Sequence, residues 1–98
     1  MASGTIEQTE SRLVVDTCEV TNIAISAKGY KNQDITVSKT GYEPIGIVGY
    51  LLGGSGSTWV NVYICRLANS TTARIGLREM SDAAVTITVT VYVLYRKL

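Results

Sequence analysis

Histidine is absent from the 98 residues. No imidazole can therefore act as base or metal ligand, and no Ser–His or Cys–His nucleophile can be assembled. The two cysteines, Cys18 and Cys65, are too few for a four-thiolate zinc site and form no CxxC pair. They read as two buried thiols rather than a bridge, because free cysteine is among the most buried residue types. The eight acidic residues are scattered, with Glu7 and Glu10 near the start and Asp16 and Glu19 flanking Cys18. Distant strands could still bring two carboxylates together for glycoside hydrolysis, but surface solvation is the simpler role for residues spread this way. Gly53-Gly54-Ser55-Gly56-Ser57 lacks the lysine and the following helix of a phosphate-cradling loop. Asn69-Ser70-Thr71 fits the glycosylation tripeptide and reads as a polar turn. What remains is aromatic chemistry, from one Trp and six Tyr. Exposed aromatic rings stack on sugars or bases. Tyr30 and Tyr42, beside predicted turns, and Trp59, beside the glycine-rich loop, are the candidate ligand-binding residues. No catalytic residue, metal site or cofactor is expected, and an enzyme here would have to rely on carboxylates, Tyr or Lys.

The elements that must position these rings are strands. Twelve Thr, eleven Val, nine Ile and six Tyr favour the pleated chain, and β-branched side chains lose freedom in a helix. The last segment, 84–96, alternates with a period of two: Val85, Ile87, Val89, Val91 and Val93 share one face, Thr86, Thr88 and Thr90 the other. From Tyr92 and Leu94 onward both faces are apolar, as in a central strand. Further strands are predicted over 12–15, 21–27, 34–38, 45–52, 59–67 and 73–78. Residues 28–32 are predicted as a turn and Gly53–Ser57 as a hairpin connector. An immunoglobulin variant would place a Trp soon after the first cysteine, whereas Trp59 lies just before the second. The expected fold is an antiparallel two-sheet sandwich, jelly-roll-like, of seven to eight strands, in a single domain over 1–98 with 1–10 as an extended or flexible segment.

The net charge of +1 excludes a strongly basic nucleic-acid module and a polybasic membrane surface. No apolar run reaches the roughly 18 residues that span a bilayer. Neither nucleic acid nor membrane is an expected partner. The hydrophobic share of 46% is nonetheless large for a chain with so little interior. Tyr92, Leu94, Tyr95 and the run 45–52 supply more apolar surface than two inner sheet faces need. Large exposed apolar patches mark interfaces, and a second copy of the same chain is the economical partner.

The stretch from Lys39 to Tyr50, containing Gly41-Tyr42-Glu43-Pro44-Ile45-Gly46-Ile47-Val48-Gly49, resembles the GYxPxGIVG segment of small β-rich modules in virion structural proteins of phages of Gram-positive gut bacteria. The Gly-Ser loop, Val60-Asn61-Val62-Tyr63, the run from Thr72 to Arg78 and the closing Val-Thr-Val-Tyr-Val-Leu-Tyr run extend the resemblance over about residues 35–98. It implies a virion module of the fibre-tip or capsid-decoration type: homotrimeric, contacting other virion proteins and binding host surface glycans. No ligand residues carry over from it. The loops 28–32 and 53–58 are the expected glycan-facing surfaces. The alternatives are a monomeric carbohydrate-binding module of a secreted protein, and a small phage protein that acts inside the host by binding a cell component or metabolite.

Overall fold

The computed structural model describes residues 12–98 and shows an all-β protein built from two antiparallel three-stranded sheets. In chain order the strands are β1 (Leu13–Ile25), β2 (Tyr30–Thr36), β3 (Tyr42–Gly53), β4 (Val60–Asn69), β5 (Thr72–Glu79) and β6 (Val85–Lys97), with a 3-10 turn at Ser57–Trp59. One sheet runs β1-β6-β3 and the other β2-β5-β4. The chain changes sheet at every connection except the β4–β5 hairpin. Asn69 closes that hairpin, its Oδ1 accepting the Thr71 N–H at 2.9 Å and the Thr71 hydroxyl at 3.1 Å, so Asn69-Ser70-Thr71 is a turn. Among the described residues no helix is long and apolar enough to cross a membrane. The segment expected over 1–10 lies outside the described residues.

Six strands replace the expected seven to eight, and the physical reason is a bulge. The predicted segments 12–15 and 21–27 belong to one thirteen-residue strand, β1. The register against β6 shifts between Val20 and Ile23, and Asn22 takes a positive φ of 57°. One extra residue flips the inward face of everything beyond it. Val14, Cys18 and Val20 therefore meet the core before the bulge, and Ile23 and Ile25 meet it after. A pattern that changes parity midway reads in sequence as two short strands.

Two connections also differ from expectation. The Gly53–Ser57 segment is not a hairpin, because β3 pairs with β6 and β4 pairs with β5; it carries the chain across from one sheet to the other. Gly56 sits at φ +88°, and a Cβ there would approach Val85 Cγ1 to 2.7 Å, so this crossing needs glycine on both counts. The turn predicted over 28–32 is tighter. Lys28 takes φ 55°, the Gly29 N–H bonds the Ser26 carbonyl at 2.8 Å, and Tyr30-Lys31-Asn32 already belong to β2.

The core lies between the two central strands. Ile87, Val89, Val91, Val93 and Tyr95 of β6 face Ala73, Ile75 and Leu77 of β5, joined by Ile23, Ile25, Ile35, Val37 and Val60. Cys18 and Cys65 are free and half-buried rather than buried, one in each sheet.

Candidate functional site

Two of the three aromatic candidates meet at one end of the sandwich. The Glu79 N–H donates to the Gly29 carbonyl at 2.9 Å, and the Met80 N–H donates to the Trp59 carbonyl at 2.8 Å. Both the β1–β2 turn and the 3-10 turn are thereby tied to the end of β5. Trp59 is 59% exposed and Tyr30 62% exposed, so neither ring serves the core. Trp59 lines an open hollow of about 720 Å³ with Ser55, Gly56 and the segment from Ser81. Tyr30 lines a second of about 500 Å³ with Ala24, Ile25 and Ser26, and Ala84, Val85 and Thr86 border both. An exposed Lys28–Asp82 ion pair at 2.9 Å links the two loops across this end.

Tyr42 is elsewhere. It pairs in register with Lys97 at the opposite end, is half-buried against the core and carries Lys39 Nζ 5.5 Å above its ring. The three candidates therefore do not gather at one place, and Tyr42 packs partly against the core. Sequence reading singled out Tyr42 because a turn lies beside it, which places a residue at an end of the sandwich without saying which end.

The outward face of β2-β5-β4 holds a group that the sequence did not bring together. Tyr63 sits at a register shift in β4 and lays its ring over Gly76 of β5. Its hydroxyl donates to Asn32 Oδ1 at 2.7 Å. Its ring meets Tyr30 edge to face, with centroids 5.7 Å apart and planes at 81°. The Arg78 guanidinium lies 5.1 Å from the Tyr30 ring centre, a cation–π contact between register partners. Arg74 holds Asp34 by two bonds of 2.7 and 3.2 Å; that guanidinium keeps the Asp34 carboxyl below its ordinary range, and Asp34 in turn raises Arg74. The available sequence signal was Gly76, a glycine inside a strand, which marks close approach by something large.

Behind this end lies Glu79, fully buried on the core side of β5. Its Oε1 accepts the Ser81 N–H, and its Oε2 has no hydrogen-bond partner among the described residues. Burial raises the Cys65 thiol above its ordinary pKa, which keeps it protonated and weakly nucleophilic. Among the described residues no three His, Cys, Asp or Glu side chains gather as a metal site.

No family model, curated protein or solved structure matches this chain. Its chemistry is therefore read from its own surfaces, of which the outward face of β1-β6-β3 is the second. Val15 (54% exposed) and Gly46 flank the half-buried Leu94; Thr17 and Gly49 flank the half-buried Tyr92; Leu51 (59% exposed) sits beside Thr90. Ile45 and Val48, the extra residues at the two register shifts of β3, are also exposed. The other half of this face carries Thr86 and Thr88, toward the Gly-Ser crossing.

Proposed function

We propose that this protein is a non-enzymatic structural module that works as a homotrimer, packed through the outward face of β1-β6-β3. One observation carries the reading: the apolar stripe formed by Val15, Leu94, Tyr92, Leu51 and Val48 on a sheet face that no other part of the described chain covers. Water-exposed apolar surface of this kind is stabilised by burial at roughly 25 cal/mol per Å². Gly46 and Gly49 keep the stripe low, so a flat partner can approach closely. Exposed apolar residues flank the central strand on both sides, on β1 and on β3, which favours a head-to-tail contact that closes into a ring.

The edges favour the same mode. β1, β3 and β4 each carry at least one register shift, which spoils a flat edge for strand addition. The fourth edge strand, β2, pairs in unbroken register, so three of the four edges of the described sheets favour contact by faces over strand addition. The stripe lies at the Tyr42 end of β6, so the aromatic end with Tyr30 and Trp59 stays outside such a contact and is available for adhesion to glycans, with avidity from several copies.

The strand order also supports a finer reading of the fold. A jelly roll wraps a long antiparallel hairpin into two sheets. The pairs β1 with β6 and β2 with β5, followed by β6 with β3 and β5 with β4, are that wrapping with one strand pair left out. On the resemblance set out above, the module belongs to a phage virion, on a fibre or a capsid. Exposed Trp59 and Tyr30 favour a second reading, a monomeric carbohydrate-binding module. Sedimentation velocity across a hundredfold range of concentration separates the two. The trimer reading expects three chain masses for the native protein and one for a Val15→Lys/Leu51→Lys variant that remains folded. A native protein that sediments as a single chain throughout would end it.

A further inference from the structure

The outward face of β2-β5-β4 breaks a rule of sheet construction. Arg66 of β4 stands opposite Arg74 of β5 in register, and like charges placed directly opposite are destabilising. Arg74 is already satisfied by its two bonds to Asp34. Among the described residues neither Arg66 nor Arg78 joins an ion pair. Three guanidiniums and one carboxylate thus share one face of a chain whose net charge is only +1. Arg74 has Asp34 and Arg78 has the Tyr30 ring, but among the described residues Arg66 has no compensating contact, and a like-charge neighbour kept without one points to a ligand.

The same face offers the rest of a recognition surface. Tyr30 presents an exposed ring whose position is fixed by Tyr63 and Arg78. The Tyr63 hydroxyl occupies Asn32 Oδ1, leaving the Asn32 amide N–H groups as donors beside it. Arg78 and the Arg66–Arg74 pair are four strand positions apart, about 13 Å. We propose that this face binds an acidic oligosaccharide. One sugar ring stacks on Tyr30, the hydroxyls meet Asn32 and the carboxylate or phosphate groups meet Arg78 at one end and Arg66 at the other. Tyr63 stands edge-on to Tyr30, so the two rings make no parallel platform for successive bases. The small net charge also gives little purchase on a phosphate backbone, which favours sugar over single-stranded nucleic acid.

This deepens the adhesion part of the reading above and does not require the trimer. The test is titration calorimetry of the full chain with four probes: a glucuronate-containing hexasaccharide, a phosphorylated hexasaccharide, a neutral glucan hexasaccharide and an oligothymidylate. One or both acidic sugars are expected to bind at least tenfold more tightly than the neutral glucan, and which one does so identifies the anionic group. Added salt weakens that binding. Arg66→Gln/Arg78→Gln and Tyr30→Ala each lose at least tenfold, while Arg66→Gln alone unfolds at an equal or higher urea concentration than the parent. Equal binding of the neutral glucan, undiminished binding by the Arg66→Gln/Arg78→Gln variant, tightest binding of the oligothymidylate, or no binding by any probe would each overturn the proposal. The same titration on the Val15→Lys/Leu51→Lys variant keeps the two ideas apart. Acidic-sugar binding by a single chain leaves this site standing whether or not the trimer does.

Discussion

Gly76→Ala is the most direct test of how the outward face of β2-β5-β4 is built. A Cβ at this position would lie 2.8 Å from Tyr63 Cζ, 2.9 Å from Cε2 and 3.1 Å from Asn32 Oδ1. Carbon atoms in contact settle at about 3.5–4.0 Å, so the ring has to move by nearly an ångström. That displacement breaks the 2.7 Å bond from the Tyr63 hydroxyl to Asn32 and the edge-to-face contact with Tyr30. An exposed hydrogen bond contributes about 0.5–1 kcal/mol, and an aromatic pair about 0.5–1.5 kcal/mol. Alanine recovers about 0.5–1 kcal/mol of the entropy that glycine loses in a strand. The substitution should therefore destabilise by about 1 kcal/mol in the native background. In a Tyr63→Ala background the ring clash is gone and the Asn32 side chain, freed of its bond to Tyr63, can yield the few tenths of an ångström still needed, so the same Gly76→Ala change should stabilise by about 0.5 kcal/mol. Urea unfolding at fixed chain concentration measures all four corners of this cycle. If Gly76→Ala has the same effect with and without the Tyr63 ring, the ring is not held by the glycine gap and the reasoning fails.

Three further substitutions, at two positions, probe the core. Burial, and secondarily the Cys18 thiol 3.9 Å away, pushes the Tyr95 phenol up to about 12, whereas an unfolded tyrosine ionises near 10. The unfolded chain alone releases this proton above pH 10, so stability falls from there toward pH 12, by on the order of 2 kcal/mol for this group. Urea midpoints at pH 9, 10 and 11 should decline less steeply in Tyr95→Phe than in the parent, and parallel declines would refute the assignment. At Glu79, Gln keeps an oxygen for the Ser81 N–H and places an amide NH2 where the unpartnered Oε2 lies, so Glu79→Gln should stay within about 1 kcal/mol of the parent. Glu79→Ala loses both packing and acceptor and should cost about 2–3 kcal/mol. Equal losses from both variants would refute the role given to packing and to the Ser81 acceptor.

The period of two was legible wherever a strand stays unbulged. Val85 to Val93 announced β6 and its inward face. The two-sided apolar stretch at Tyr92 and Leu94 pointed to a strand covered on both faces, whereas β6 is central in its pairing and open on its outward face. The turn at Asn69 was legible because its polar side chain satisfies the turn locally. What escaped was non-local. Alternation tells which residues share a face, but it does not say which strand edges meet. A hairpin and a crossing look alike when the connector is Gly-Ser. Parity changes at the Val20–Ile23 bulge hid the continuity of β1. Tyr63, Arg78 and Asn32 come from three strands, and their meeting depends on a register that only pairing fixes. Tyr30 and Trp59 were legible as exposed rings near turns, because large aromatic residues beside short polar loops have little interior to enter.

The two outward faces differ in chemistry, one carrying the stripe of Val15, Leu94, Tyr92 and Leu51 beside Glu19 and the Arg96–Glu43 pair, the other the Arg66, Arg74 and Arg78 group, and that contrast constrains any account of the protein. A monomer that needed only a folded core would have no use for Val15, Val48 and Leu51 on a face already backed by Val89, Val91 and Val93. Nor would it gain from setting Arg66 against Arg74 when a neutral side chain would remove the repulsion. Each feature alone could be drift in a stable fold. Their segregation onto different sheets is harder to reach by drift, since adjacent positions along every strand alternate between the core and these faces. The β6 stripe also changes character along its length, from Tyr92 and Leu94 to Thr90, Thr88 and Thr86, approaching the end where Trp59 and Tyr30 stand. On the proposed function, a surface that is apolar where copies would meet and hydroxyl-bearing near the exposed rings would divide assembly from recognition within one strand. Swapping the two halves, with Thr at 92 and 94 and Leu at 86 and 88, would leave the inward face of β6 unchanged. On this reading the swap should abolish the trimer at its native contact, and sedimentation with three chain masses from the swapped protein would refute it.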